Sequence, residues 1–148
     1  MLKVIEAGKT DKKDIKRFYK QQHYNASFIG QDRTFLIKDN HLIVAAVIVS
    51  LISTDNHQAL LHGLLVNKTY RKQNLATTLL NFTSKQYDAL ICFAEPAQEK
   101  FYIKRGFSIE HQQHLSPCLL SRYLAYKKKK TDLLIFAKIN QKKLIDLI

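Results

Sequence analysis

The turn Arg71-Lys72-Gln73-Asn74 stands inside VNKTYRKQNLATTLL, residues 66–80, between an apolar strand pattern and an apolar helix pattern. That position suits anion chemistry. N–H groups at a helix start point outward and the helix dipole adds partial positive charge, so such a turn can hold a phosphate. Turns of this kind usually contain glycine, because the backbone must bend tightly and approach the anion closely. This one has none. Asn tolerates positive φ best among the non-glycine residues, so Asn74 is the least disruptive substitute. Ala76 keeps the helix thin beside the turn, and Arg71 and Lys72 attract anions at long range. The plain alternative is a solvated connection capped by Asn74.

Other chemistry-bearing residues are fewer. His62 lies in LLHGLLV, and an imidazole with an ordinary pKa of ~6.5 suits base work. Strand alternation puts His62 on the face of Leu64 and Val66, opposite Gly63. That placement fits a cleft residue or a tucked core histidine. HQQH, with His111 and His114, looks like a metal-ligand pair. In a strand, however, residues three apart face opposite sides, so no metal site is expected. Cys92 lies in an apolar strand and reads as packing. Cys118 can be exposed, but no neighbouring residue marks it as a nucleophile. Lys127 to Lys130 reads first as a solvated loop.

The elements that must position these residues follow from periodicity. Leu2 to Glu6 is a short strand. A helix capped by Asp11 carries Ile15, Phe18 and Tyr19 at helical spacing. Asn25 to Gln31 reads as loop. Thr34 to Lys38 is a strand, Asp39-Asn40 a hairpin turn, and His41 to Ile52 a long buried strand. Thr54-Asp55-Asn56 turns the chain, and Gln58 to Val66 is the next strand. From Asn74, Leu75, Leu79, Leu80 and Tyr87 mark a helix with one apolar face. Ala89 to Ala94 is an apolar strand suited to the centre of a sheet. In EPAQEKFYIKRGF, Pro96 suits a helix start and Gly106 a left-handed close. Phe107 to Leu115 and Leu133 to Ile139 are closing strands, joined by the basic connection SPCLLSRYLAYKKKKT. The order is β-α-β-β-β-α-β-α-β-β. The helical crossover from Gln58–Val66 to Ala89–Ala94 implies a parallel pair. The fold class is α/β.

The chain has 148 residues, 46% of them apolar, and a net charge of +12. Its length suits one domain, residues 1–148, with a packed core. No stretch approaches the roughly 18 apolar residues of a membrane span, MLKVIEAGKT carries no signal-peptide core, and two Cys make no disulfide framework. A reduced, cytoplasmic protein with no membrane partner is expected. The charge favours polyanionic partners or a phosphorylated cofactor. Nucleic acid is not expected as a partner, because no recognition motif accompanies the charge.

Three features together resemble the GNAT superfamily of N-acetyltransferases. They are the element order, which covers nearly the whole chain; VNKTYRKQNLATTLL, which looks like the family's strand-turn-helix motif; and FYIKRGF, which looks like its closing helix. Lys68 stands where the family often has Pro, Lys72 and Asn74 where the turn often has Gly, and Glu95 where an Asn often contacts the cofactor arm. The resemblance implies a mixed, mostly antiparallel central sheet with helices on both faces and one parallel, splayed strand pair at the cofactor site.

It also implies acetyl-CoA as cosubstrate and direct acetyl transfer to a primary amine in a ternary complex. Leu64, Leu65 and Val66 would offer backbone groups to the pantetheine arm. Arg71, Lys72, Gln73, Asn74, Leu75 and Ala76 would wrap the diphosphate, and Thr77 could add a hydroxyl. Glu95 would lie by the cofactor arm. Tyr102 occupies the position of the family's catalytic Tyr and is the expected acid for the departing thiolate. Where many relatives have Glu or Asp before the Val, this chain has His62 and Gly63. His62 is therefore the candidate base, with Glu95 acting through water, or water alone, as alternatives. The acceptor is a small-molecule or a protein amine, and the basic surface argues against a polycation. A homodimer is compatible with the sequence. The alternative function is an acetyl-CoA-binding regulatory module with little catalysis.

Overall fold

Nine consecutive residues, LIVAAVIVS, form a strand buried along almost its whole length, and the sheet grows outward from strands of this kind. The structure, a computed structural model of the chain, describes residues 2–25, 32–52 and 58–140. Of the expected loop Asn25–Gln31, residues 26–31 lie outside the described residues, and so does the turn at Thr54-Asp55-Asn56. The strands are β1 (Val4–Glu6), β2 (Arg33–Asp39), β3 (Leu42–Ser50), β4 (Gln58–Val66), β5 (Ala89–Ala94), β6 (Ser108–Glu110) and β7 (Leu134–Ile139). The helices are α1 (Lys12–Gln21), α2 (Leu75–Ser84), α3 (Glu99–Lys104) and α4 (Pro117–Lys127). The seven strands run in the order β1-β2-β3-β4-β5-β7-β6. Gln58–Leu60 of β4 pairs in parallel with Ala89–Ile91. The pairs β1–β2, β2–β3, β5–β7 and β6–β7 are antiparallel. This is the expected mixed α/β sheet with its one parallel pair. The described residues fall into two compact units, Met1–Ser50 with Leu61–Thr83, and Leu51–Leu60 with Ser84–Ile148.

In the first unit, α1 buries Ile15, Phe18 and Tyr19 against Leu36, Ile43, Ala46 and Ile48. Neighbouring Phe35 points to the other face of β2, where its ring meets Phe82 of α2 at 5.6 Å. Helices thus cover both faces of the β2–β3 pair. Asp11 does not cap α1 with its side chain. Its carboxylate accepts bonds from Lys38 Nζ at 2.7 Å and from the Gly8 N–H at 2.8 Å. The carboxylate is thus engaged by an ammonium and by the chain ahead of the helix. These bonds, the Lys38 bond first, hold the Asp11 carboxyl below its usual range. Their contribution to stability is present at neutral pH and is lost as pH falls through that lowered pKa.

Within β4, Gly63 has φ +62°. The left-handed residue interrupts the strand's alternation. The Tyr19 hydroxyl donates to the Gly63 carbonyl at 2.8 Å, so the interruption is bonded to α1.

In the second unit, β7 separates two packed faces. Ile135 and Ala137 join Leu60, Ile91, Leu119 and Tyr123, whereas Phe136 stacks on Tyr102 of α3 at 5.2 Å. Helix α3 closes as its sequence requires. Gly106 has φ +88°, and the Gly106 and Phe107 N–H groups donate to the Ile103 and Tyr102 carbonyls, both at 3.1 Å. This double bond pattern is the left-handed helix stop that glycine favours.

Three expectations are corrected here. The strand expected over Phe107–Leu115 is only Ser108–Glu110, followed by a helical turn over Gln112–His114. The expected connection over residues 116–131 is largely helix α4. Ser116 caps it by accepting the Leu119 N–H, with Pro117 at the first position. Leu119 and Tyr123, four apart, bury one face. The Gln58 side chain donates to the His114 carbonyl at 2.8 Å and accepts the Ser116 N–H at 2.9 Å. That clamp ends strand pairing and starts the helix. Helix α2 also stops at Ser84, before Tyr87.

A Cβ placed at Gly63 would meet Tyr24 Cε1 at 3.1 Å and Tyr19 Cε1 at 3.3 Å. Gly63→Ala should therefore cost roughly 1–3 kcal/mol, from the positive φ and the two rings together. Chemical denaturation checks this; a cost below about 0.5 kcal/mol would show that the strand regularises without loss.

Candidate active site

The turn ahead of α2 lies within the first unit. Asn67 takes the Thr69 N–H and hydroxyl on its side chain, each at 3.1 Å, and gives its own N–H to Val44 O at 2.7 Å. The Tyr70 hydroxyl donates to Asp39 at 2.7 Å. These bonds fix the chain as it leaves β4. Lys72 then adopts φ +70° and Asn74 φ +60°, bracketing Gln73. The two positions where a glycine-rich turn would be left-handed are left-handed here without glycine. Arg71, Lys72, Gln73 and Asn74 are exposed, Leu75 is buried, and Ala76 and Thr77 are half-buried. The Asn74 carbonyl accepts the Thr78 N–H at 3.0 Å and the Thr78 hydroxyl at 2.9 Å. Turns with left-handed residues can direct successive N–H groups at an anion. The ten-residue helix behind it adds its dipole.

Leu64, Leu65 and Val66 are half-buried. Arg71 folds back so that its Nε donates to Val66 O at 3.4 Å. Leu65 packs against the α1 cluster, as Tyr24 does. His62 also reaches Tyr24: its Nδ1 is 3.1 Å from the Tyr24 hydroxyl, and its Nε2 is 2.9 Å from Ser50 Oγ. Strict alternation would set positions 62 and 65 on opposite faces. The left-handed Gly63 between them brings both toward the α1 side. The simple alternation expected for His62 therefore does not hold.

Tyr102, Glu95 and Cys92 belong to the second unit. Tyr102 is 9% exposed. Its ring is edge-on to Phe101 and Phe107 and stacked on Phe136, and its hydroxyl is bonded to Cys92. Burial first, then Cys92, pushes its pKa far up, so the phenol stays protonated. Burial pushes the Cys92 thiol up to about 12, which makes it a neutral packing residue. Glu95 pairs with Lys130 Nζ at 3.0 Å, so the basic tract after α4 neutralises it. Lys127 Nζ lies 5.5 Å from the Tyr123 ring centroid. His111 and His114 flank a helical turn rather than a strand, and His114 pairs with Glu110.

A profile of the acetyltransferase (GNAT) domain matches residues 6–115. The chain belongs to the GNAT acetyltransferase family. It is an acetyltransferase, and acetyl-CoA is the cosubstrate of such enzymes. Solved structures with the same fold include a GNAT-family acetyltransferase from Staphylococcus aureus Mu50, at TM-score 0.66 and 17% identity over 94% of this chain and 99% of that one. Arabidopsis thaliana Naa50, solved with the bisubstrate analogue CoA-Ac-MVNAL, matches at TM-score 0.65 and 16% identity, over 94% and 99%. Neisseria gonorrhoeae N-acetylglutamate synthase, solved with coenzyme A and N-acetyl-glutamate, matches at TM-score 0.73 and 12% identity over 94% of this chain. This chain spans 35% of that protein. No curated protein matches the sequence. Among the described residues, no helix is long and apolar enough to cross a membrane.

Sequence reasoning missed Tyr24, Ser50 and Tyr19 as neighbours of His62 and Gly63. The readable signal was small: Ser50 is the one polar residue of β3, and Tyr24 comes three residues after α1.

For a non-glycine residue the left-handed region costs roughly 1–2 kcal/mol, against about 0.5–1 kcal/mol of chain entropy lost with glycine. Lys72→Gly should therefore leave stability unchanged or raise it by up to ~1.5 kcal/mol. Asn74→Gly should leave acetyl-CoA binding equal or tighter. A large loss of binding in the second variant would mean that the Asn74 side chain itself holds the ligand.

Proposed function

We propose that this GNAT chain moves an acetyl group from acetyl-CoA to a primary amine, directly, with both substrates bound together. One observation carries the reading: the glycine-free turn at the head of α2 is left-handed at Lys72 and Asn74. Left-handed residues at these two places support reading the turn as a diphosphate cradle despite its sequence. Arg71 to Ala76, with the Thr77 hydroxyl, would hold the diphosphate, and backbone groups of Leu64, Leu65 and Val66 the pantetheine arm. Glu95, already paired with Lys130, would lie by the arm as a neutralised group.

Acetyl-CoA supplies the acetyl thioester; the chain must manage protons. An alkylamine with a pKa near ~10.4 is almost wholly protonated at neutral pH, so one proton must be removed before the nitrogen can attack. His62 is the proposed acceptor of that proton. Tyr102 is the proposed donor to the departing sulfur. Burial keeps its proton in place at every working pH, but a phenol of raised pKa is a weak acid, so its contribution is modest. The acceptor is a small-molecule or a protein amine. A net charge of +12 disfavours a polycationic one. The Arabidopsis relative's bisubstrate analogue and the Neisseria relative's N-acetyl-glutamate both join an acetyl group to an amine nitrogen, which supports this acceptor class.

Acetyl-CoA should raise the melting temperature of the protein, and Arg71→Ala should reduce that rise. An equal rise in the variant would put the diphosphate elsewhere. Free-thiol release should follow addition of an amine from a panel of alkylamines, arylamines, amino acids and peptides with free N-termini. Binding without release for every amine would favour an acetyl-CoA-responsive binding module instead. Tyr102→Phe should lower turnover about 10-fold, below the roughly 100- to 10,000-fold of a well-matched acid or base because the buried phenol is a weak acid, with the thermal shift by acetyl-CoA nearly intact. Undiminished turnover would remove Tyr102 from the mechanism.

A further inference from the structure

His62 has hydroxyl partners at both ring nitrogens. Its Nδ1 is 3.1 Å from Tyr24 Oη and its Nε2 is 2.9 Å from Ser50 Oγ. The three side chains come from three places: the segment after α1, the end of β3, and β4 just before the Gly63 interruption. All lie in one compact unit. Ser50 is 1% exposed, whereas Tyr24 is half-buried. A proton reaching His62 through the serine would have to cross the core. Through the tyrosine it would not.

The tyrosine is also held in place. Its N–H donates to the Tyr19 carbonyl at 3.0 Å, after His23 at φ +58° has turned the chain out of α1. Its ring lies 5.3 Å from the Tyr19 ring, centroid to centroid, and against the Gly63 α-carbon face. The same Tyr19 holds the Gly63 carbonyl. So α1 fixes both the hydroxyl and the strand that carries the imidazole.

We propose that Tyr24 is the outward end of a proton relay, passing the acceptor amine's proton to His62, and that Ser50 is a positioning residue that holds the imidazole. This rests on the reading of His62 as base. In the resting state the Tyr24 O–H donates to Nδ1, and Nε2–H donates to Ser50 Oγ. When an ammonium acceptor gives up a proton, one N–H bond of the substrate breaks and an O–H bond forms at Tyr24. Tyr24's original O–H bond breaks and an Nδ1–H bond forms. The amine keeps its electron pair, and the tyrosine ends as it began. His62 becomes an imidazolium whose two N–H groups both donate to hydroxyl oxygens, so neither is left unmatched. The proton later leaves by the same path to solvent.

The test uses whichever alkylamine of the panel above is turned over, together with an arylamine whose nitrogen is already neutral at neutral pH. Tyr24→Phe keeps the ring against Tyr19 and removes only the hydroxyl. Its kcat for the alkylamine should fall about 100-fold, with the KM for acetyl-CoA within about twofold. With the arylamine the fall should be under about 10-fold, because no proton need be removed before attack. His62→Gln should show the same contrast. The double variant should lose no more than the worse single one, since groups acting as a unit are not additive. Ser50→Ala should lose under about 10-fold with both amines. In the free protein, imidazole nitrogen NMR should show the Nδ1 signal of His62 shifting in Tyr24→Phe and the Nε2 signal shifting in Ser50→Ala.

If His62→Gln loses turnover while Tyr24→Phe does not, the relay is wrong and the base reading survives. Full turnover in His62→Gln overturns the base reading and the relay with it, as does absence of turnover with every amine. Equal losses of Tyr24→Phe on both amines, or an unmoved Nδ1 signal, overturn the relay by reducing Tyr24 to packing.

Discussion

The bond from the Tyr19 hydroxyl to the Gly63 carbonyl, 2.8 Å long, fixes how β4 departs from a regular strand. A strand that kept strict alternation would send His62 and Leu65 to opposite faces. With Gly63 at φ +62° both meet the α1 side, His62 through Tyr24 and Leu65 through the apolar cluster. A single side chain of α1 therefore sets the register of everything that follows along β4, up to Val66 and the turn. Tyr19 is itself 1% exposed, so its hydroxyl has no water to fall back on. Losing the bond would leave a buried donor unmatched, which costs about 1–3 kcal/mol. That penalty makes the irregular strand the stable one.

Charge is distributed with some economy around this frame. The chain carries +12, yet several cations have a specific partner: Lys38 with Asp11, Arg33 with Glu6, Lys130 with Glu95. The last pair is exposed and contributes little to stability. Its consequence is local. It neutralises the Glu95 carboxylate. By contrast, Arg71 and Lys72 are exposed on the turn, where excess positive charge raises the local concentration of an anion.

How much of this could be read in the sequence depends on whether the signal was local. β4 and β5 were bounded to the residue, because apolar runs flanked by turn residues leave little freedom. The stop of α3 was legible because Gly106 alone can take its backbone angle cheaply. Helix α4 was not, because Lys127 and the three lysines after it read as a solvated loop, although Ser116-Pro117 and the spacing of Leu119 and Tyr123 were present as signals. The shortened β6 depends on Gln58, 56 and 58 residues away from its partners, and no local pattern encodes that. In the site, the tolerance of Asn74 for positive φ was legible, but the left-handed Lys72 was not. A lysine has no preference for that region, so only its bonded neighbours, from Asn67 to Tyr70, can impose it. The two hydroxyls at His62 come from distant elements and were invisible for the same reason.

Tyr102 shows how a buried side chain can still fit a proton-donating role. Its resting partner, Cys92, is a thiol pushed up to about 12, and therefore neutral. Thiol sulfur is a weak acceptor, so little is lost when that bond breaks. The partner proposed for it during the reaction is a thiolate, also sulfur but charged. A charged acceptor makes a bond roughly twice as strong as a neutral one. The difference favours turning the hydroxyl from Cys92 toward the departing sulfur only once negative charge has developed there. The phenol would then stabilise the leaving group without competing for the thioester beforehand. Stabilisation confined to the charged state lowers the barrier without tightening substrate binding. On this account burial of Tyr102 is no obstacle to its proposed role, since the aromatic stack of Phe101, Phe107 and Phe136 leaves its hydroxyl one weak partner to exchange for a stronger one.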